Sequence, residues 1–503
     1  MNIIVAQTRI YGQNIKKNFE NMKSIIESQD KKSLIVFPDL ALTGSSGFLI
    51  SRQSDQIKYL EKCHQALIAM SEDKAIVWGS IDNGMKAIFV AYNGMVQKII
   101  KQKLSKDLYF QEALNYDSYL QEDNIVTLNG TDYSFSFSGD LKRKEGTVNI
   151  VLANSFWIKG IEQKRLVEVE SYENPVVYVN AVGTQNLSKS VFVYDGGSFY
   201  KTPNKISLIT EPFEEEVRAV DYFQLTYQTD LNFSLILKAL VTLIKQFDEE
   251  VFSFRPNWII GLSGGLDSSV SFALLNMALG NERVIPVTMP SKYNRSISKN
   301  NAQHLAEVFN IELLTIPVEE LALETVETIK HENMDVSQGL AYENIQARLR
   351  GHILMSISSI RNGIVINNGN KIESALGYAT MYGDAIGALS PLADLSKVEV
   401  GLLAAEINRQ YEREMIPKNL IPVLKEDRVE WDFAPSAELA QDQFDPMKWG
   451  YHDILIEMLM RYPAIEILES YEDGSIYQLP IGRYLDVYGL NNAENFISDF
   501  EWV

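Results

Sequence analysis

The sequence predicts an α/β protein in two parts, a layered strand-rich sandwich followed by a doubly wound parallel sheet. Three observations carry this. The chain has 503 residues, too many for one hydrophobic core. Its first half strings together short apolar runs with interspersed helices. Its second half alternates strands with helical patterns, the pattern of a parallel sheet covered on both faces.

The elements of the first half follow in order. Residues 3–6 (IIVA) read as a buried strand. A helix comes next, with Ile15, Phe19, Met22, Ile25 and Ile26 on one face. LIVF at 34–37 and AIVWGSI at 75–81 are strands. Between them Tyr59, Cys63, Leu67 and Met70 recur at near-helical spacing. Cys63, the only cysteine, therefore reads as a small apolar residue on a packed face. AIFVAYNGMVQKII is a hairpin, because Asn93-Gly94 tolerates the positive φ of a tight turn. Further strands are expected at 149–153, 176–182 and 190–194.

Composition narrows the function. Lys plus Arg is 46 and Asp plus Glu 66, a formal net charge of −20. That disfavours nucleic-acid and anionic-membrane partners, which need a basic footprint. A single cysteine excludes an internal disulfide and fits a reducing compartment, so a cytoplasmic location is expected. The N-terminus MNIIVAQTRIYGQN lacks a signal-peptide pattern, and no apolar run is long enough to span a bilayer. The five histidines are scattered, and none forms a zinc-ligand cluster.

Four segments of the first half resemble the nitrilase-type amidases: FPDLALTG, KQKLSKDLYFQE (101–112), NSFWIKGIEQKR (154–165) and VVYVNAVGTQ (176–185). The resemblance implies an α-β-β-α sandwich and a Glu, Lys, Cys triad. In that family the Glu is the base, the Lys stabilises the oxyanion and the Cys attacks the amide. Carried over position by position, the triad becomes Asp39, Lys101 and Ser138. A serine needs a well-placed base where a cysteine is already partly thiolate. Asp39 reaches about 1 Å less far than a glutamate, and such a misplacement costs about a hundredfold. The expectation is an amidase outline without a working nucleophile.

Beyond a connector and an amphipathic helix in 222–250, NWIIGLSGGLDSSVSFALLNMALG reads as strand, glycine-rich turn and helix. Such a turn offers N–H donors and a helix dipole to an anion. It lacks the P-loop lysine. Strands at 284–289, 311–318 and 364–368 alternate with helices at about 319–330 and 342–361. A ligand is expected at the carboxyl ends of the strands.

The turn S-G-G-x-D-S resembles the pyrophosphate loop of the ATP pyrophosphatases. The later blocks MPSKYNRSIS (289–298), ENIQARLRGHILMSIS (343–358), NGNKIESALGYATMYGD (368–384), DLSKVEV (394–400) and APSAELAQDQFD (434–445) are similar to NAD synthetase in order and spacing. The whole chain thus resembles a two-domain, glutamine-type NAD synthetase with a degenerate amidase half. Domains are expected at 1–225 and 226–503. The resemblance implies a ligase that converts deamido-NAD to NAD with ATP and ammonia, releasing AMP and pyrophosphate. Glutamine as nitrogen donor, through residual or in-trans amidase activity, is the alternative. It implies ATP contacts at Ser263, Gly264, Gly265, Asp267, Ser268, Ser269, Met289, Lys397 and Ser436. Asn344, Arg348 and Lys371 are implied to meet deamido-NAD. Lys397 and Asp384 are implied to be catalytic, and Asp267 and Glu373 to bind Mg²⁺, a hard cation that takes carboxylates and phosphate oxygens. The segment with Ser436 and Glu438 is a candidate lid, which the sequence alone does not show, and a homo-oligomer is expected. Asn368 stands where the family often has Thr. Two rivals fare worse. An RNA-thiolating pyrophosphatase needs catalytic cysteines and a basic face, and a dead scaffold need not keep SGGLDSS, Glu373 and Lys397.

Overall fold

The computed structural model describes residues 1–46, 53–101, 123–141, 145–187, 189–220, 225–227, 232–332 and 334–503. Most of the 101–112 block and most of the expected connector lie outside the described residues. The chain divides into two compact units, Met1–Phe247 and Asp248–Val503.

The first unit begins β1 (Asn2–Gln7), α1 (Ile15–Ser28), β2 (Ser33–Val36), α2 (Ser54–Ala69), β3 (Ala75–Asp82), β4 (Met85–Tyr92) and β5 (Met95–Ile100). It continues with β6 (Ile125–Leu128), β7 (Thr131–Phe137), β8 (Val148–Ala153), α3 (Ile161–Val169) and β9 (Val176–Asn180). It closes with β10 (Val182–Leu187), β11 (Ser190–Asp195), β12 (Phe199–Thr202), β13 (Lys205–Leu208), β14 (Glu216–Ala219) and β15 (Leu225–Thr226). One sheet has the order β14-β1-β2-β3-β4-β5 and another β15-β13-β12-β9-β8-β7-β6.

Strand alternation sorts the side chains into layers. Val5, Val36, Val77 and Ile88 of the first sheet pack with Phe135, Ile150, Leu152 and Val177 of the second. The opposite faces of β1, β2 and β3 (Ile4, Ile35, Trp78) bury against Ile15, Met22 and Ile26 of α1 and Leu60, Cys63 and Leu67 of α2. Val169 of α3 packs on the outer face of the second sheet, beside Val151 and Tyr178. The result is the α-β-β-α sandwich. Cys63 sits in the outer layer, and burial pushes its thiol up to about 11, away from thiolate chemistry.

Local chemistry matches the elements. Asn14 caps α1, its side chain accepting from Lys17 N at 3.1 Å. Asn93 (φ 51°) and Gly94 (φ 71°) make the expected tight turn between β4 and β5. The expected strand at 176–182 is instead broken. Asn180 Nδ2 donates to the carbonyls of Ser155 and Gly196, both at 3.0 Å, and the chain leaves the sheet there. β10 pairs with β11 in a separate ribbon.

The second unit holds β16 (Asn257–Gly261), β17 (Val284–Thr288), β18 (Leu314–Thr315) and β19 (Gly363–Val365), all parallel, in the order β18-β17-β16-β19. The compact units divide within α4 (Phe233–Val251). The sheet's helices are α5 (Leu266–Leu279), α6 (Ser296–Val308), α7 (Glu319–Lys330) and α8 (Gly339–Ile360), then α9 (Lys371–Leu376) and α10 (Lys397–Tyr411). The strand order reverses between β16 and β19, which places a crevice at their carboxyl ends. The run at 311–318 keeps only Leu314–Thr315 as strand, at the sheet edge. A terminal cluster of α11 (Tyr451–Leu459), α12 (Ala464–Glu472), α13 (Gly482–Leu485) and α14 (Ala493–Trp502) has its own core around Tyr451, Ile467, Leu485 and Phe496.

His64 on α2 is a buried polar group with defined partners. Its ring stacks on Phe89 at 4.2 Å, and its Nδ1 accepts from Trp78 Nε1 at 3.1 Å. Burial pulls its pKa down to about 4. Protonation would set a second N–H against the indole N–H. Because the folded pKa is depressed, His64 is neutral at no cost above its unfolded value of about 6.5, and stability is lost as pH falls from there toward 4. His64→Gln keeps an acceptor for Trp78. It should lose roughly 2 kcal/mol less stability than the unmutated protein between about pH 7 and pH 5. Denaturant midpoints at the two pH values check this, and parallel losses would contradict it.

Candidate active site

The crevice of the second unit is a cavity of about 350 Å³. Its floor is the SGGLDSS turn between β16 and α5. Gly264 has φ +82°, and a Cβ there would lie 1.9 Å from the Ser298 carbonyl, so only glycine fits. Gly265 N donates to Ser263 Oγ at 3.2 Å, and the hydroxyls of Ser268 and Ser269 bond back to the Gly265 carbonyl at 3.1 and 2.6 Å. Ser263, Gly265, Asp267 and Ser268 line the cavity, whereas Gly264 and Ser269 lie behind it.

Three charged groups converge at one wall, each from a helix N-terminus. Asp267 is in the first turn of α5, Glu373 in that of α9, and Lys397 opens α10. Lys397 Nζ pairs with Asp267 Oδ2 and with Glu373 Oε1, the latter at 3.4 Å. Asn370 organises the carboxylates. Its Nδ2 donates to Asp267 Oδ1 at 3.1 Å, and its Oδ1 caps α9 while Glu373 Oε2 accepts from Asn370 N at 3.2 Å. Asp267 is therefore not a cap: Gly265 holds that position on α5. Lys397 is only 4% exposed. Burial alone would depress it, but Asp267 and Glu373 hold the ammonium above the usual lysine range. Burial lifts Glu373 to about 7, with Lys397 opposing and Asp267 adding to the rise. Asp445 lines the same wall, and burial raises it too. Among the described residues no group of three or more His, Cys, Asp or Glu has metal-site geometry.

Met289, Asp384 and Ser436 line the cavity. Asp384 Oδ1 accepts from Thr380 N at 2.6 Å, and burial raises its pKa. Asn344, Arg348 and Lys371 do not line it. Asn344 and Arg348 do share a face of α8: Asn344 Oδ1 accepts from Thr380 Oγ1 at 2.7 Å and Arg348 Nε donates to the Met381 carbonyl at 3.3 Å. Lys371 pairs instead with Glu457, at 3.7 Å. Sequence reasoning left out Asn370, Arg350, Trp431 and Phe433 as site residues, though the last three line the cavity. Only Asn370 carried a local signal, the N-cap spacing Asn-x-x-Glu.

The segment at 434–445 is fastened over one side. Glu438 accepts from Arg295 Nε (2.8 Å), Asn294 Nδ2 (2.9 Å) and Ser298 Oγ (2.7 Å).

In the first unit, Asp39 and Ser138, two of the three amidase-type positions, have different side-chain partners. Gly79 approaches Asp39 so closely that a Cβ would lie 2.5 Å from the Asp39 Cα. Asp39 Oδ2 pairs with Lys86 at 3.2 Å, and Oδ1 is buried without a partner. Lys101, just past β5, is buried, its N–H bonded to the Lys86 carbonyl at 3.0 Å. Ser138 Oγ donates to Glu168 at 3.0 Å and accepts from Tyr178 OH at 3.1 Å, and Glu168 also accepts from Gly139 N. Burial raises Glu168.

A glycine turn, a switch-point crevice and a cation between two carboxylates make up the site on the α/β fold. Residues 236–475 match the family model described as NAD synthase. A protein of Aquifex aeolicus, described as a glutamine-dependent NAD(+) synthetase, is 27% identical over 92% of this chain and 89% of its own length. One of Xanthomonas campestris with the same description is 28% identical over 85% of this chain and 80% of its own. The solved glutamine-dependent NAD+ synthetase from Acinetobacter baumannii, in complex with ADP, superposes with a TM-score of 0.71 at 25% identity, covering 83% of this chain and 84% of that one. Over most of its length the chain is similar to two-domain, glutamine-dependent NAD synthetases, and its second half matches the NAD synthase family model.

Glu438→Ala removes one charged acceptor from three donors, which should destabilise the protein by about 2–3 kcal/mol, with Glu438→Gln milder. Denaturant unfolding checks this, and an unchanged midpoint would mean that the segment is held elsewhere.

Proposed function

We propose that the protein makes NAD by ATP-dependent amidation of deamido-NAD, with ammonia as the nitrogen donor. The observation that carries the synthetase reading is the Asp267, Glu373 and Lys397 cluster beside the SGGLDSS turn. The nicotinate carboxylate attacks the α-phosphorus of ATP, giving an acyl-adenylate and pyrophosphate. Ammonia then attacks the acyl carbon and AMP leaves. No side chain forms a covalent bond, so the chain's task is positioning and charge neutralisation.

Ser263, Gly265 and Ser268 present donors to the polyphosphate, and Lys397 sets a buried positive charge beside it. Asp384, a carboxylate of raised pKa in the same cavity, is assigned to receive the proton that ammonia sheds. The donor set suits Mg²⁺: Asp267 and Glu373 already converge on one cation, the Lys397 ammonium. They would hold the metal, which supplies further neutralisation of phosphate charge when bound.

The choice of ammonia rests on the first unit. Ser138 and the Gly139 N–H, at the expected nucleophile position, are both taken by Glu168, and Asp39 pairs with Lys86 rather than with Ser138. An amide substrate meets a Ser138 hydroxyl already bonded to Glu168 and Tyr178, and the residue at the expected base position, Asp39, is held by Lys86. The relatives' descriptions as glutamine-dependent favour a second reading, glutamine as donor through Ser138 or an amidase partner, and they support it better than they support ammonia alone.

The two readings separate in one assay of NAD and glutamate. Ammonium should support NAD formation, and glutamine alone should give neither NAD nor glutamate. Glutamate release by the pure protein, abolished in Ser138→Ala, would hand the assignment to the glutamine reading.

A further inference from the structure

Arg350 lies on α8 and lines the cavity near Ala347, Gly351 and Leu354. Its Nε donates to the carbonyl of Met289, just past β17, at 3.2 Å. That one bond fixes the guanidinium plane. Nη1 is buried and has no hydrogen-bond partner.

The acids around Arg350 are committed elsewhere. Glu319 pairs with Lys292 at 3.2 Å. Glu438 is taken by Asn294, Arg295 and Ser298. Asp384 accepts from Thr380 N. All three act on Arg350 from beyond ion-pair distance, and burial dominates, drawing its pKa down to about 10. The contrast with Lys397 is plain, since that cation has two carboxylates within 4 Å. An enclosed charge with no counter-ion is costly to fold. A guanidinium in that state is short of a planar or tetrahedral anion, which its fork meets with two parallel bonds.

We propose that Arg350 is a phosphate-binding residue of the synthetase cavity, its counter-ion being a phosphate group carried in by a substrate. The inference rests on the function proposed above. Two sources have the right chemistry, the polyphosphate of ATP and the diphosphate of deamido-NAD.

Calorimetric titration of the full chain with a non-hydrolysable ATP analogue, and separately with deamido-NAD, distinguishes them. The variants are Arg350→Gln and Arg350→Lys, with ligand-free thermal unfolding as the structural control. Arg350→Gln should weaken at least one ligand by about tenfold or more, the scale of a charge-assisted hydrogen bond. Arg350→Lys should restore only part of it, because an ammonium cannot replace the fork. The ligand whose affinity falls is the source. Ligand-free unfolding temperatures should not drop, since an uncompensated charge has been removed. Both affinities within about twofold of the unmutated protein would overturn the proposal while leaving the synthetase reading standing. So would losses that come with a lowered ligand-free unfolding temperature, which would mark Arg350 as structural. If the unmutated protein binds neither ligand, the synthetase reading and this inference fail together.

Discussion

The second unit is built around one ion cluster, the Lys397 ammonium between Asp267 and Glu373. Each of the three residues stands at a helix N-terminus, where backbone N–H groups favour anions. Asp267 and Glu373 gain from that position, whereas Lys397 is placed against it and is buried as well. Neighbouring carboxylates, Asp267 and Glu373 first and Asp445 after them, make the ammonium tenable there. The cluster thus ties together α5, α9 and α10, which are far apart in sequence, at the point where the strand order reverses.

Balance is local rather than general. Across the crevice wall, Arg350 has no such partner. A cavity whose lining sets a neutralised Lys397 against an Arg350 with no ion-pair partner is asymmetric before any ligand enters. That asymmetry suits substrates that bring several phosphates, and it gives a protein of net charge −20 a confined place for polyanions.

Much of this was legible in the sequence, for physical reasons. Strand alternation and helix period laid out the two sheets, and Asn93-Gly94 fixed a hairpin. SGGLDSS declared itself because only glycine fits against the Ser298 carbonyl at Gly264. Asp267, Glu373 and Lys397 were found through motif blocks, and the structure brings them to one point. What stayed hidden was tertiary. Glu168 lies 30 residues from Ser138 with no motif to mark it, yet it decides what that hydroxyl does. Lys86 likewise reaches Asp39 from a neighbouring strand. Asn344, Arg348 and Lys371 were grouped by motif, but their side chains engage the 380–381 loop and Glu457 instead of lining the cavity. Strand breaks such as the one at Asn180 depend on partners far along the chain, which periodicity cannot register.

The central claim is that the Asp267 and Glu373 carboxylates serve adenylation rather than merely neutralising Lys397. Deamido-NAD-dependent exchange of labelled pyrophosphate into ATP measures that half-reaction without any nitrogen donor. In folded Asp267→Asn and Glu373→Gln proteins under saturating Mg²⁺, exchange should fall about a hundredfold or more, as expected when electrostatic stabilisation of the transferring group is lost. Exchange at near the unmutated rate in either protein would contradict the account.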